Sequence, residues 1–205
     1  MPRQDIDALT AQAIKDFSRA VERDVGPSVP KEAFDPVLLA KVVPDALAKS
    51  FACAFPKHVA FLGTVFLTRG IEAGAARAAD LVVSVSPSSI GWRIPASKTD
   101  TKALGEAMHH SCWCADAAPW CDLCPFHVAL DIKEKVAAMF PDADPAVLPL
   151  FPSKSGATLS RAQTVAAIRA VVAGSGQETS VELVHAGCSE TRERFSEHSM
   201  RVPGA

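Results

Sequence analysis

Apolar positions near the start of the chain recur with a three-and-four spacing. Ile6, Leu9, Ala13, Ile14, Phe17 and Val21 share one helical face, with Asp7, Lys15, Arg19 and Glu22 elsewhere. The pattern predicts an amphipathic helix that stops at DVGPSVPK, residues 24–31, where two prolines and a glycine make a linker. Asp35 and Pro36 open a second predicted helix toward Ala48: the aspartate serves as cap, the proline as first helical residue, and Pro44 as a kink. From Lys57 to Thr68 the chain is apolar and helix-compatible, and it ends at the charged corner Arg69-Gly70. A further helical turn over 75–79 precedes LVVSVS and IGWRIPA, which read as two strands of a hairpin joined by PSS. Helices are predicted over 126–139 and 160–172, the latter capped by Ser160, with a proline-rich loop over 141–152 between them. Short helices are expected over 178–185 and 196–201, and no internal repeat is found.

Composition narrows the class. With 205 residues, 48% hydrophobic and 21% charged, the chain can bury a substantial core, which excludes disorder over most of its length. Its longest run without a charged residue, Leu81 to Trp92, is twelve residues long and holds Pro87 and Gly91, short of the ~20 that a membrane-crossing helix needs. The opening MPRQDIDALT carries acids where a signal peptide has its apolar stretch, so an intracellular location is expected and the six cysteines read as reduced thiols or metal ligands. A net charge of -2 and a pI near 6.3 exclude a strongly basic nucleic-acid binder, so any DNA contact must be local. There are three Trp and ten Phe but no Tyr, which removes phenol chemistry from this chain.

Three groups carry candidate phosphate chemistry. Arg69, Glu72, Arg77 and Asp80 lie in TRGIEAGAARAADLVV, where an apolar helix delivers an arginine to a corner before the hairpin. A guanidinium fork suits a phosphate, although such arginines taken singly are usually surface or ion-pair residues. Lys98 in PASKTD lies at the far end of the hairpin, where a lysine is most often merely solvated. His198 and Arg201, in EHSMR, are three residues apart and would share a helical face.

In this order, with the hairpin between the first arginine and the lysine, the segment from about Phe51 to Ala205 resembles the catalytic domain of a tyrosine recombinase (phage-integrase-like family) of the eukaryotic mobile-element type. Arg69, Glu72, Arg77 and Asp80 fall on the charged positions of the family's L-R-x-x-E-x-x-x-L-R-x-x-D box, with Thr68 and Ala76 in place of its leucines; Lys98 matches the hairpin lysine, and His198 and Arg201 match its H-x-x-R box. The resemblance implies an α+β, mainly helical, integrase-like catalytic domain with a small β-hairpin or sheet and a Cys/His-rich loop. It divides the chain into an N-terminal helical segment, 1–50, and a catalytic core, 51–205, with a Cys/His-rich insert over 109–127. It further implies metal-free DNA cleavage and rejoining, in which Arg69 and Arg201 neutralise the scissile phosphate, Lys98 protonates the leaving oxygen and His198 assists proton transfer. The family's nucleophilic tyrosine follows H-x-x-R, whereas this sequence reaches Ala205 four residues after Arg201 and has no tyrosine anywhere. The expectation is therefore a C-terminally truncated core that binds DNA weakly, as a homo-oligomer on DNA, without completing the reaction; the family type implies a nuclear location.

An independent feature is HHSCWCADAAPWCDLCPFH, which gathers His109, His110, Cys112, Cys114, Cys121, Cys124 and His127 into nineteen residues. Cys112, Cys114, Cys121 and Cys124 offer four soft ligands suited to a structural zinc, with His127, His109 or His110 as a substitute. Inert thiols are the alternative, and Trp113 and Trp120 are expected to pack the cluster. Cys53, Cys188, His58 and His185 read as ordinary packed or surface residues. Two functions follow: a DNA-recombination or integration protein of the tyrosine-recombinase family, or a zinc-stabilised protein-interaction module on a degenerate recombinase scaffold.

Overall fold

Asp7 starts the first helix by accepting hydrogen bonds from the backbone N–H of Thr10 at 2.9 Å and from its hydroxyl at 2.7 Å. The structure, a computed structural model, describes residues 7–24, 37, 39, 42, 52–86, 88–94, 105–114, 121–185, 188–195 and 200. The chain divides into two compact units, Met1–Pro30 with Glu182–Arg192, and Lys31–Val181 with Glu193–Ala205. In the first unit, α1 spans Ala8–Asp24, as its periodicity predicts, and it exposes the apolar Ile14 and Phe17.

Residues 178–185, expected as a helix, instead form a strand, β4 (Ser180–His185), paired with β5 (Cys188–Glu193). Val181 and Val184 are β-branched, and a short apolar run fits a strand as readily as a helix until a partner supplies the ladder.

Among the described residues the second unit has four α-helices, three of them longer than two turns. Pro56 at the first position opens α2 (Pro56–Val65), whose Val59, Ala60, Phe61 and Leu62 are buried. After a short α3 (Gly70–Ala75) and a 3-10 turn (Ala78–Asp80) come β1 (Leu81–Ser84), β2 (Ser89–Ile94) and β3 (Glu106–Ser111). Helix α4 covers Pro125–Met139, and α5 covers Arg161–Gly174. Ser160 caps α5: its hydroxyl accepts from Gln163 N–H, while the Gln163 side chain accepts from the Ser160 N–H at 2.8 Å. Helix α2 packs against both α5 and α4, and α4 lies against all three strands.

The sheet has the order β1-β2-β3 and is antiparallel throughout, with Leu81, Trp92 and Met108 in one row and Val82, Gly91 and His109 in the next. Period-two alternation therefore turns Leu81, Ile90 and Trp92 into the core and leaves Val82 and His109 outside. Gly91 lets the His109 ring lie against the sheet: a Cβ there would come within 2.7 Å of the imidazole. Strand β3 has no counterpart in the sequence reading. The buried centre joins Phe61, Leu62, Phe66, Leu81, Trp92, Ile132, Leu150, Phe151 and Ile168.

Overall this is a mixed α/β arrangement with two small antiparallel sheets among the described residues. The linker beyond Asp24 and most of the helix expected from Pro36 to Ala48 lie outside the described residues; within the latter stretch Val37 and Leu39 take 3-10 geometry. The final helix over 196–201 is outside them too, except for Met200 in a turn. Among the described residues no helix is long and apolar enough to cross a membrane.

Candidate functional site

Helix α2 ends in a Schellman motif, with Thr68 N–H bonded to Gly63 O at 2.9 Å and Leu67 N–H to Thr64 O at 3.1 Å. Its left-handed residue is Leu67, at φ 48°, a conformation that costs a side-chain-bearing residue roughly 1–2 kcal/mol and is normally given to glycine. This tight reversal points the chain into Arg69, the N-cap residue of α3, whose side chain is 18% exposed. The buried Glu72 serves the corner twice. One carboxylate oxygen accepts the Arg69 backbone N–H at 2.7 Å, and the other lies 3.7 Å from the Arg69 guanidinium.

The same arrangement repeats eight residues on. Asp80, also buried, accepts the Arg77 backbone N–H at 3.0 Å and pairs with Arg93 at 3.5 Å, while the Arg77 guanidinium donates to Ala146 O. The two R-x-x-acid pairs of the charged box are thus tandem caps, in which the acids anchor backbone; Arg77 is exposed, whereas the Arg69 side chain is mostly buried beside Glu72.

Lys98, His198 and Arg201 lie outside the described residues. Met200, between the last two in sequence, is described and fully buried. Its sulfur occupies the space beside Gly63, 2.2 Å from where a Cβ would stand, and the Thr68 hydroxyl borders the same point at 3.3 Å. Met200 therefore packs against the turn that leads into Arg69.

The Cys/His segment comes together at the junction of β3 and α4. Cys112 and Cys114 follow β3, Cys124 is the N-cap residue of α4, and His127 sits on its first turn. One ligand atom from each of these four lies within 4.8 Å of every other. The Cys112 and Cys124 sulfurs are 3.5 Å apart, as are Cys114 Sγ and His127 Nδ1. Such a group can hold a metal ion.

Cys121 is outside that set but close enough to act on Cys114, whose thiol is pushed up to about 12 by burial first and then by Cys124 and Cys121. Burial pushes the Cys124 thiol up as well, yet N–H groups of His127, Trp113 and Phe126 and the Cys112 thiol outweigh it and hold Cys124 below the ordinary thiol value. The Trp113 N–H lies 3.3 Å from that sulfur. The Trp113 ring, expected to pack the cluster, is 58% exposed and touches only the edge of His110 among the ring contacts described. Trp120 lies outside the described residues, and His109 lies on the outer face of the sheet.

One polar pair escaped the sequence reading. His58 Nε2 and Asp131 Oδ2 are 2.6 Å apart between α2 and α4, and Lys135 also bonds Asp131. No spacing signal links residues 73 positions apart. Cys53, read as an ordinary packed residue, is buried, and that burial raises its thiol to about 11.

A scan against protein-family models finds no match, and a search of curated proteins finds none either. Among solved structures, the chain is similar to XerH site-specific recombinase bound to difH substrate in a pre-cleavage complex, with a TM-score of 0.47 and 15% identity over 86% of this chain. It spans 43% of that chain's length.

Proposed function

We propose that the 51–205 region is a DNA-phosphate-binding core of the tyrosine-recombinase kind, serving DNA recombination or integration. In this reading Arg69 and Arg201 neutralise phosphate oxygens, Lys98 stands at the leaving oxygen and His198 handles its proton. The phosphate chemistry takes no cofactor. The observation that supports it best is Met200: the middle of the H-x-x-R box is buried beside Gly63 and Thr68, and Thr68 adjoins Arg69 in the chain. The 205 residues contain no tyrosine, so a phenol nucleophile would have to come from elsewhere. The partner is DNA, held as a homo-oligomer, in the nucleus if the mobile-element type holds.

The test is DNA binding against salt. Each neutralised phosphate steepens the dependence of affinity on salt, so three contacts give a loss of about 40-fold between 50 and 200 mM salt. Arg69→Ala is expected to weaken binding and flatten that slope by about 0.9, and the chain is expected to form no covalent adduct with a nicked DNA substrate. Unchanged binding in Arg69→Ala, or a covalent protein–DNA band, would contradict the reading.

Gly63→Ala tests the methionine contact. The added methyl must displace Met200, an overpacking cost of about 1–3 kcal/mol, while helix propensity returns about 1 kcal/mol. Folding is therefore expected to survive and DNA affinity to fall several-fold; affinity equal to wild type would break the link between Met200 and the pocket.

A second reading, a zinc-stabilised protein-interaction module on the same scaffold, is favoured by the convergent Cys112, Cys114, Cys124 and His127 and by the net charge of -2. DNA binding that is absent at low salt would select it.

A further inference from the structure

We infer that Cys112, Cys114, Cys124 and His127 form a closed, four-ligand zinc(II) site, that Cys121 stays outside it, and that the metal is what holds β3 in the sheet. The inference deepens only the zinc part of the preceding section and is independent of DNA binding.

The ligand set follows from geometry. Zinc–thiolate bonds of about 2.3 Å and zinc–imidazole bonds of about 2.0–2.1 Å, arranged tetrahedrally, separate the ligand atoms by roughly 3.5–4 Å. The four atoms here already lie within 4.8 Å of one another, with two of the separations at 3.5 Å. Few small movements are then needed to close on an ion. Three thiolates with one imidazole are a soft donor set that favours zinc over magnesium or calcium, and four protein ligands leave no position for substrate. Binding balances as one zinc(II) taken up and three thiol protons released, with His127 donating a lone pair as the neutral ring, for a centre of net charge -1.

That charge is accommodated where it forms. Cys124 is the N-cap of the fifteen-residue α4, and the Trp113 N–H already points at its sulfur. The backbone N–H groups of the first turn, directed at this sulfur, and the positive end of the helix dipole both favour a thiolate there. Cys121 precedes the cap by three residues, and the Cys124 N–H bonds back to Cys121 O at 3.1 Å, so its backbone closes the turn while its sulfur stays out of the set.

The structural consequence concerns β3. Its sequence, EAMHHS, contains no β-branched residue and only one large apolar side chain, and it is an edge strand exposed at Glu106, Ala107, His109 and Ser111. Intrinsic preference does not make this segment a strand. Cys112 follows it directly and donates its N–H to Ser88 O at 2.8 Å, so a metal joining Cys112 and Cys114 to the start of α4 fixes the end of the strand against the core. The site ties a weak strand to a strong helix.

The experiment uses the full chain, with zinc content per chain, cobalt(II) substitution and hydrogen exchange as readouts. One zinc per chain is expected in wild type and in Cys121→Ser, whose affinity should stay within about 3-fold. Cys114→Ser and His127→Ala are expected to lose affinity by more than the 10–100-fold that a supporting residue costs. The absorption of the cobalt form reports three thiolates in the folded wild type, which covers the case of a variant that fails to fold. Removing the metal should speed exchange at amides of 106–112 while those of α2 and α5 stay protected. Wild-type protein without zinc and with all thiols titratable, or loss of zinc in Cys121→Ser with retention in His127→Ala, would overturn the ligand set. Unchanged exchange over 106–112 after metal removal would overturn the role assigned to it.

Discussion

Replacing Trp92 by alanine is expected to destabilise the larger unit by about 3–5 kcal/mol, the cost typical of emptying a buried aromatic site. Trp92 is fully buried at the middle of β2 and meets Phe66 edge-on at 5.2 Å and Phe151 at 5.9 Å. It therefore joins three parts at once: the sheet, the end of α2 and the segment before α5. A domain of ordinary stability has about 5–15 kcal/mol in all, so the loss is a large share of it and should lower Tm by roughly 10 °C. Trp92→Phe should cost much less, because the indole Nε1 has no hydrogen-bond partner among the described residues and phenylalanine leaves no polar group stranded. Thermal unfolding by circular dichroism decides the matter; a drop of only 2 or 3 °C in Trp92→Ala, with about 1.5 kcal/mol lost at most, would mean that the site collapses around the gap. Phe66 lies three residues before Arg69, so under the proposed function the loosened core should also weaken DNA binding.

Acid is expected to lower the stability of the protein in two steps, both traced to His58 and Asp131. His58 Nε2 faces Asp131, so a second proton must enter at Nδ1, which is buried and has no partner among the described residues. Burial therefore lowers the His58 pKa below 6.5, and the nearby Lys57 and Lys135 push the same way, while the hydrogen bond and charge of Asp131 oppose them without prevailing. The unfolded chain binds that proton more readily than the folded one, so stability is full above about pH 6.5 and declines as pH falls below it.

Asp131 is lowered to about 2, chiefly by the His58 hydrogen bond and then by Lys135 against the opposing effect of burial. Its contribution is present above the unfolded value near 3.8 and is lost as pH falls toward 2. At about 1.4 kcal/mol per pKa unit, that contribution is about 2 kcal/mol before screening of this partly exposed carboxylate is allowed for. Asp131→Ala leaves the neutral His58 Nε2–H buried without its acceptor and should cost about 1–3 kcal/mol near neutral pH, the cost of stranding a buried polar group. Tm measured from pH 7 down to pH 2 checks this: a flat profile in wild type, or one unchanged by Asp131→Ala, would exclude the pair as the source.

Much of this architecture was readable in advance where one signal dominates. Pro56 and the Ser160 capping box bracket helices because proline and a side-chain acceptor act locally, whereas the left-handed turn that ends α2 falls at Leu67, ahead of the expected Arg69-Gly70 corner, at a residue type that gives no such signal. LVVS and SIGWRI announce a hairpin through β-branched content and alternation. What stayed hidden depends on partners distant in sequence. EAMHHS is a strand only because β2 offers it a ladder, and SVELVH because CSETRE does. The Cys/His segment declared its chemistry through composition, yet spacing alone ranked Cys121 above His127. The better signal was that Cys124 and His127, three apart at the start of a helix, share a face. His58 and Asp131, on different helices, left no trace in the pattern.

The tandem caps carry a consequence for how the corner tolerates change. Glu72 grips the amide of residue 69, a group that every amino acid except proline brings, and Leu67 and Thr68 shape the approach without using the arginine side chain. The backbone turn at position 69 is therefore held independently of its side chain, although the guanidinium itself lies mostly buried, 3.7 Å from the second Glu72 oxygen. Exchange of Arg69 for lysine keeps both the turn and a cation beside Glu72, whereas the neighbouring acid, which holds the amide, has no such freedom. Variation at this corner is thus borne by position 69, and the codon to leave alone is that of Glu72.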